Sequence, residues 1–396
     1  KWKLTRLYQI CDHLPPESDP RAELDELRDT HGEVQFEHGR GFFVEPPDRK
    51  SEPTVRFDEM DSDEFIEYCL EYADSAIRTP RRAADAALED AESEVPVDPT
   101  RELRARILSD QGVYLPQLPA LIEASTGTDE LVEVGFEAVI SLMIGSDHKE
   151  EEVTEWTSIV DAYQRFLAVE PIEEKWDRDC RHAAADLLRL MIGHSRSTFK
   201  AADHVDLLAE GVLAFTDDPD PESVLPSEDQ LHTIQTTESL HSRVAGVRTR
   251  GTSGLIWLLM TIKEHSLNRE TLVDSLRKRL IDLFTDDAMT VRFVLGRHLL
   301  TLYGYDSEVV EDHFDQLLPT GNDPESRVHF VSTWSGYVTH SNVYESMFDQ
   351  LTSKYQHAVS IHRTDDFEQY DQSLRSLCTH IAVAYAWGFV DVDDDL

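Results

Sequence analysis

Lysine is nearly missing from this chain. Only nine of its 37 basic residues are Lys, the rest being Arg, and 78 acidic residues leave a formal net charge of −41. Acid in such excess disfavours direct binding to a nucleic-acid backbone, because phosphate contacts need grouped Lys and Arg. Cysteine is scarce too. Cys11, Cys69, Cys180 and Cys378 are too few and too scattered for a disulfide framework in 396 residues, so the expected setting is a reducing cytoplasm. The longest stretch without Asp, Glu, Lys or Arg covers residues 328–344, 17 in all, short of the roughly 20 that span a bilayer. The sequence has no Gly-x-x-x-x-Gly-Lys-Ser/Thr phosphate loop, no Gly-x-Ser-x-Gly elbow and no His-Glu-x-x-His pair. Those chemistries therefore lack their motifs.

What is present is acid, spread evenly. Asp and Glu occur along every segment rather than in one patch, the pattern of a whole surface adapted to high salt rather than of a docking site for a basic ligand. Self-repulsion at this charge opposes a compact state in dilute buffer. At molar salt the screening length falls to about 3 Å and that cost largely disappears. With 40% hydrophobic residues the chain still has enough apolar material for a real core.

Almost every periodic segment carries the helical spacing. Phe65, Ile66, Cys69, Leu70 and Tyr72 form one stripe, with Ser62 placed to cap its start. Thr79-Pro80 opens an Ala-rich helix running through Leu88, Pro96 and Pro99 end it, and residues 101–108 begin another. Val153, Trp156, Ile159, Val160, Tyr163 and Leu167 repeat at threes and fours. So do Leu272, Val273, Leu276, Leu280, Leu283 and Phe284, and then Val309, Val310, Phe314, Leu317 and Leu318 behind a Ser307 cap. The main non-helical stretch is 32–55, containing Gly39, Gly41, Pro46, Pro47 and Pro53, and reads as a loop or short hairpin. A second break, rich in Asp, Pro, Ser and Thr, covers 216–238. The expected organisation is a helical array over 1–215 with the 32–55 insertion, an acidic loop at 216–238, and helical hairpins over 239–396 continuous with the first part.

An internal repeat sharpens this. Residues 247–258 align without gaps on 291–302, matching Val247-Arg248 to Val291-Arg292 and Leu255, Ile256 and Leu258 to Leu299, Leu300 and Leu302. The offset of 44 residues lies inside the span of HEAT-type units, about 40–47. Asp286 and Asp287 precede the second copy. An Arg near a helix start can then reach the acidic turn of a neighbouring hairpin while the Val and Leu positions face the core. The fold class is all-α, an α-solenoid of antiparallel HEAT-like hairpins with a small irregular or hairpin insertion near 32–55.

Several of these segments resemble the C-terminal α-helical region of large prokaryotic NTPases of the STAND type, many of which act in defence against phage. Residues 57–68 with Phe57, Met60, Phe65 and Tyr68 are similar to the segment ahead of a helix that starts like Thr79-Pro80. Residues 177–190 followed by 216–221, with Pro219 and Pro221, resemble a helix-then-acidic-proline stretch. Val247-Arg248, residues 291–303, Trp334, Tyr337, Phe348 and Tyr355 resemble the closing hairpins. The resemblance implies a sensor or autoinhibitory arm, non-catalytic in itself, attached to an NTPase encoded upstream of Lys1. The opening Lys1-Trp2-Lys3 and the acidic tail directly after an apolar helix fit a piece of a longer protein. A free-standing HEAT-like scaffold is the alternative; a metal- or His/Asp-dependent enzyme is a remote one.

No catalytic, cofactor-binding or metal-ligating residue is assigned. Cys11/His13, Cys180/His182 and Cys378/His380 form Cys-x-His pairs, but no Cys-x-x-Cys or His-x-x-x-His partner accompanies them. Cys180 and Cys378 fall on apolar helix faces, where Cys packs as a small hydrophobe. His194, His204, His232 and His241 gather loosely around the acidic loop with Asp203 and Asp206. Near Asp in so acidic a chain, His is expected by chance. The spacing of Trp334, Tyr337, Tyr344, Phe348 and Tyr355 suits the core of the closing hairpins more than an exposed face. The expected partner is a protein, or the rest of the same longer chain, seated on the concave side of the solenoid.

Overall fold

The structure, a computed structural model, describes residues 34–37, 40–43, 57–74, 99–125, 130–144, 153, 155–169, 171–193, 199–221, 246–363 and 371–390. It divides into two units, Lys1–Glu59 and Met60–Leu396.

The first unit holds a hairpin. Strands β1 (Val34–Glu37) and β2 (Arg40–Phe43) pair antiparallel, Val34 opposite Phe43 and Glu37 opposite Arg40. The hairpin reading of the 32–55 insertion therefore holds for these residues; Pro46, Pro47 and Pro53 lie outside the described ones.

The second unit is all helical among its described residues. Helix α1 (Ser62–Asp74) starts where Asp61 accepts the N–H groups of Asp63 and Glu64 at 3.0 Å each while Glu64 returns a bond to the Asp61 N–H at 3.1 Å. That reciprocal box makes Asp61 the cap, one residue before the expected Ser62. The Thr79-Pro80 helix lies outside the described residues. Then follow α2 (Thr100–Ser109), α3 (Leu118–Ala124), α4 (Glu130–Ile144), α5 (Trp156–Leu167), α6 (Arg178–Gly193) and α7 (Val205–Thr216). Beyond residues 222–245, which are not described, come α8 (Val247–Glu264), α9 (Glu270–Leu283), α10 (Met289–Arg297) and α11 (Leu299–Tyr305). The closing helices are α12 (Ser307–Asp312), α13 (Phe314–Leu317), α14 (Pro324–His340), α15 (Glu345–Arg363) and α16 (Asp371–Trp387). Asp306 caps α12 by accepting the Val309 N–H at 3.2 Å, again one residue ahead of the expected Ser307.

The helices form two rows. In one, α2, α4, α6, α8, α10, α14 and α16 each pack on the next; in the other, α1, α3, α5, α7 and α9 do the same. Apolar side chains fill the contacts among these helices. Phe166 stacks on Trp176 at 4.9 Å and meets Phe136 edge-on at 5.4 Å. Ile159, Tyr163, Leu276, Leu280, Leu283, Phe284, Val310 and Leu317 are buried, as their spacing foretold.

The two copies of the repeat share their burial but not their continuity. Val247 and Val291 are fully buried, and Leu255, Leu299, Leu258 and Leu302 are inside. Yet α8 runs unbroken, whereas the second copy is interrupted at His298, whose φ of −100° and ψ of 7° separate α10 from α11. Ahead of that break, α10 meets α14 backbone to backbone. A Cβ on Gly296 would stand 1.8 Å from the Thr333 carbonyl oxygen, and one on Gly336 would stand 2.1 Å from that of Phe293. Only hydrogen fits at either place.

Candidate functional site

Two arrangements of side chains stand out, one between hairpins and one at the C-terminal end of the rows. The first is a ladder of Arg and Asp. Arg181, on α6, pairs with Asp218 at 2.8 Å in the turn after α7, both side chains under a tenth exposed. Arg248, on α8, pairs with Asp286 at 3.0 Å in the turn after α9. The two aspartates are equivalent: Asp218 accepts the Asp220 N–H at 2.9 Å, and Asp286 accepts the Ala288 N–H at 2.7 Å. Each also offers its main-chain carbonyl to the next arginine, Asp218 to Arg248 at 2.7 Å and Asp286 to Arg292 at 2.6 Å. Arg292 reaches onward to the Gln316 carbonyl at 3.0 Å. The order Arg181, Asp218, Arg248, Asp286, Arg292 thus links three consecutive hairpins. The Val-Arg repeat predicted that contact, and Arg248 makes it. Burial brings the Arg292 guanidinium down to about 10, against the pull of Asp286 and Asp287. Across the other row, Arg279 of α9 donates to Thr216 Oγ1 at 3.1 Å and to the Thr216 carbonyl, so it covers the end of α7.

The second arrangement is a cleft of about 590 Å³ between the end of α14, the connector 341–344 and α16. Its floor is a buried relay. His380 Nε2 lies 3.0 Å from the Ser341 carbonyl, and its Nδ1 lies 2.8 Å from the Tyr355 hydroxyl. A carbonyl only accepts, so Nε2 carries the hydrogen, Nδ1 accepts, and Tyr355 donates. Tyr337 stands 3.4 Å behind Tyr355. Burial lowers the His380 imidazole below its ordinary range despite the Ser341 bond, which leaves it neutral with both nitrogens engaged. The rim is aromatic: Tyr344 is 50% exposed and Trp387 63%. Asn342, Glu345, Ser376 and Thr379 add polar groups to the wall. A concavity of this size, with an aromatic rim and few polar groups, suits an apolar side chain or a small organic group.

The residues singled out from sequence are placed as follows. Trp334, Tyr337, Phe348 and Tyr355 are buried and mutually packed, Trp334 meeting Tyr355 edge-on at 4.8 Å. Tyr344 departs from that core reading, because it sits in the extended connector before α15 and faces outward. Cys180 is buried and Cys378 exposed, while His380 is buried. Residues two apart on a helix point away from one another. His182 is held down to about 4 by burial and by Arg250. His204 stacks on Phe199 at 5.1 Å. Cys11, His13, His194, His232 and His241 lie outside the described residues. Sequence reasoning missed the cleft, whose walls come from three segments sharing no motif. No helix among the described residues is long and apolar enough to cross a membrane. Comparison with protein-family models, with curated proteins and with solved structures finds no match for this chain.

Proposed function

We propose that this chain is a non-catalytic α-solenoid of HEAT-like hairpins, a protein-binding arm that regulates a larger STAND-type NTPase in the cytoplasm of a salt-adapted prokaryote, in defence against phage. The observation that carries the reading is the ladder from Arg181 to Arg292. It joins one hairpin to the next through the same groups of an aspartate, its carboxylate and its main-chain carbonyl, which is how a repeat array couples neighbours. Two of its three arginines, Arg248 and Arg292, are the Val-Arg positions that carry the family resemblance. The aromatic cleft supplies a binding end, with Tyr344 and Trp387 as its anchors. A regulatory ligand must favour one state of the linked NTPase, since equal affinity for both shifts nothing.

The test is the full-length gene product. The reading requires a phosphate-loop NTPase upstream of Lys1, and removal of residues 60–396 should change its basal NTP turnover at least several-fold. An upstream sequence without a phosphate loop, or turnover unchanged by the deletion, overturns it. The first of these outcomes leaves the free-standing scaffold.

A further inference from the structure

One polar cluster belongs neither to the ladder nor to the cleft. Glu325 and His329 stand four apart on α14, so they share one face of that helix. Asp287, in the turn that leads into α10, faces them. One carboxylate oxygen from each acid and a ring nitrogen of His329 all lie within 4.8 Å of one another. His329 Nε2 is 3.9 Å from Asp287 Oδ1, beyond hydrogen-bond range.

The histidine makes this more than an acidic patch. His329 is 5% exposed, and its Nε2 is a buried atom with no hydrogen-bond partner among the described residues. A buried nitrogen in that condition is costly unless something else satisfies it. The ring is also held neutral, its pKa lowered to about 4 first by burial and then by Arg292, so its lone pair is available at neutral pH.

We propose that Asp287, Glu325 and His329 form a binding site for a divalent transition metal of the Zn²⁺ class, which ties the turn before α10 to α14. One imidazole with two carboxylates favours such an ion over Ca²⁺ or Mg²⁺, which prefer all-oxygen shells. Zinc bonds to nitrogen and oxygen are about 2.0–2.2 Å, so tetrahedral neighbours sit about 3.4 Å apart. The His329–Asp287 pair therefore has to close by only about half an ångström. Both acids are exposed, so they can make that adjustment without repacking the core, and water completes the shell. The Glu-x-x-x-His spacing was readable in the sequence; the third ligand, 38 residues before Glu325, was not.

The experiment uses the whole chain, stripped with chelator and studied in molar salt to screen the acidic surface. Zn²⁺ uptake is compared with that of Asp287→Asn/Glu325→Gln, whose folding is checked by circular dichroism. The proposal expects the parent to hold one more Zn²⁺ per chain than the variant, with affinity at least 100-fold higher at that site. Labelled-histidine NMR should show the His329 ring nitrogens shifting on addition of one equivalent. Co²⁺ should give tetrahedral d–d bands lost in the variant, with no thiolate charge-transfer band. Equal uptake by both proteins, an unmoved His329 signal, or a thiolate band as the only cobalt signature would each overturn it.

Discussion

Gly296→Ala is the sharpest probe of how the rows are built. The added methyl would lie 1.8 Å from the Thr333 oxygen and 2.7 Å from its carbonyl carbon, where ordinary contact begins near 3.4 Å. The atoms in the way are backbone, so no side chain can swing aside. The helices α10 and α14 must part by about 1.6 Å at that point. A gap of even 0.5–1 Å forfeits about a quarter to a half of each contact it opens. Phe293, Val294, Phe330 and Trp334, all buried on these two helices, would lose attraction together. Overpacking of this kind costs about 1–3 kcal/mol where side chains can yield, and more where they cannot. The better helix propensity of Ala returns about 1 kcal/mol, for a net loss of about 3 kcal/mol. Gly304→Ala is the matched control, because a Cβ there meets nothing within 4 Å; it should be neutral or stabilise by up to about 1 kcal/mol. Hydrogen exchange of the α10 and α14 amides reads the local free energy without assuming two-state unfolding. If Gly296→Ala leaves that protection within about 0.5 kcal/mol of the parent, or if Gly304→Ala costs as much, the close approach is not what holds these helices.

Four further expectations follow from the buried charges and thiols. Asp286→Ala leaves the part-buried Arg248 guanidinium to the Asp218 and Pro221 carbonyls, and should cost up to about 3 kcal/mol in chemical denaturation; a double-mutant cycle with Arg248→Met that shows no coupling would refute the pairing. Lowering the pH from 6.5 toward 4 should destabilise the fold, because His298 is pulled from its unfolded value to about 4, first by burial and then by Arg297. A depressed histidine binds fewer protons folded than unfolded, so its contribution is complete above about 6.5 and is lost below, about 3 kcal/mol in full. His298→Gln should flatten that part of the stability–pH curve, and an unchanged slope would count against it. Glu133 works in the opposite sense: burial and the nearby Glu137 raise its carboxyl to about 7, so folding favours the protonated form and stability falls as pH rises from 4.5 through 7. Because Glu133 is partly exposed, Glu133→Gln should gain no more than about 1 kcal/mol at pH 8, measured by thermal melting. Finally, the exposed Cys378 should react quickly with a thiol reagent while Cys69, whose burial pushes its thiol up to about 12, should stay unmodified until unfolding. Peptide mapping that finds both modified at the same rate contradicts this.

Helix spacing was legible because each helix buries one stripe, and stripes such as Leu276, Leu280 and Leu283 announce themselves at threes and fours. The Arg248–Asp286 contact was legible because two copies of Val-Arg fixed both ends of it. Caps were read one residue late at Ser62 and Ser307. There an Asp and a Ser stand side by side, both types suit the cap, and only backbone geometry chooses between them. The glycine contact was invisible because a glycine inside a helix reads as a cost until its neighbour is known, and Gly296 and Gly336 are 40 residues apart. The cleft was hidden for the same reason: Ser341, Tyr344 and His380 meet only after the chain has folded back.

The ladder stops at Gln316, whose carbonyl takes the last guanidinium. Past that point the helices are held chiefly by rings, Trp334 against Tyr355 and Tyr355 against Phe348. These two kinds of fastening answer salt in opposite ways. Ions weaken what lies between unlike charges, the less so the deeper it is buried, whereas strongly hydrated salts drive apolar surfaces together. Strongly hydrated salts therefore strengthen the packing from α14 to α16 outright, whereas from α6 to α10 part of that gain is offset at the ladder. A change in ionic strength thus shifts the balance of stability along the molecule rather than altering it equally everywhere.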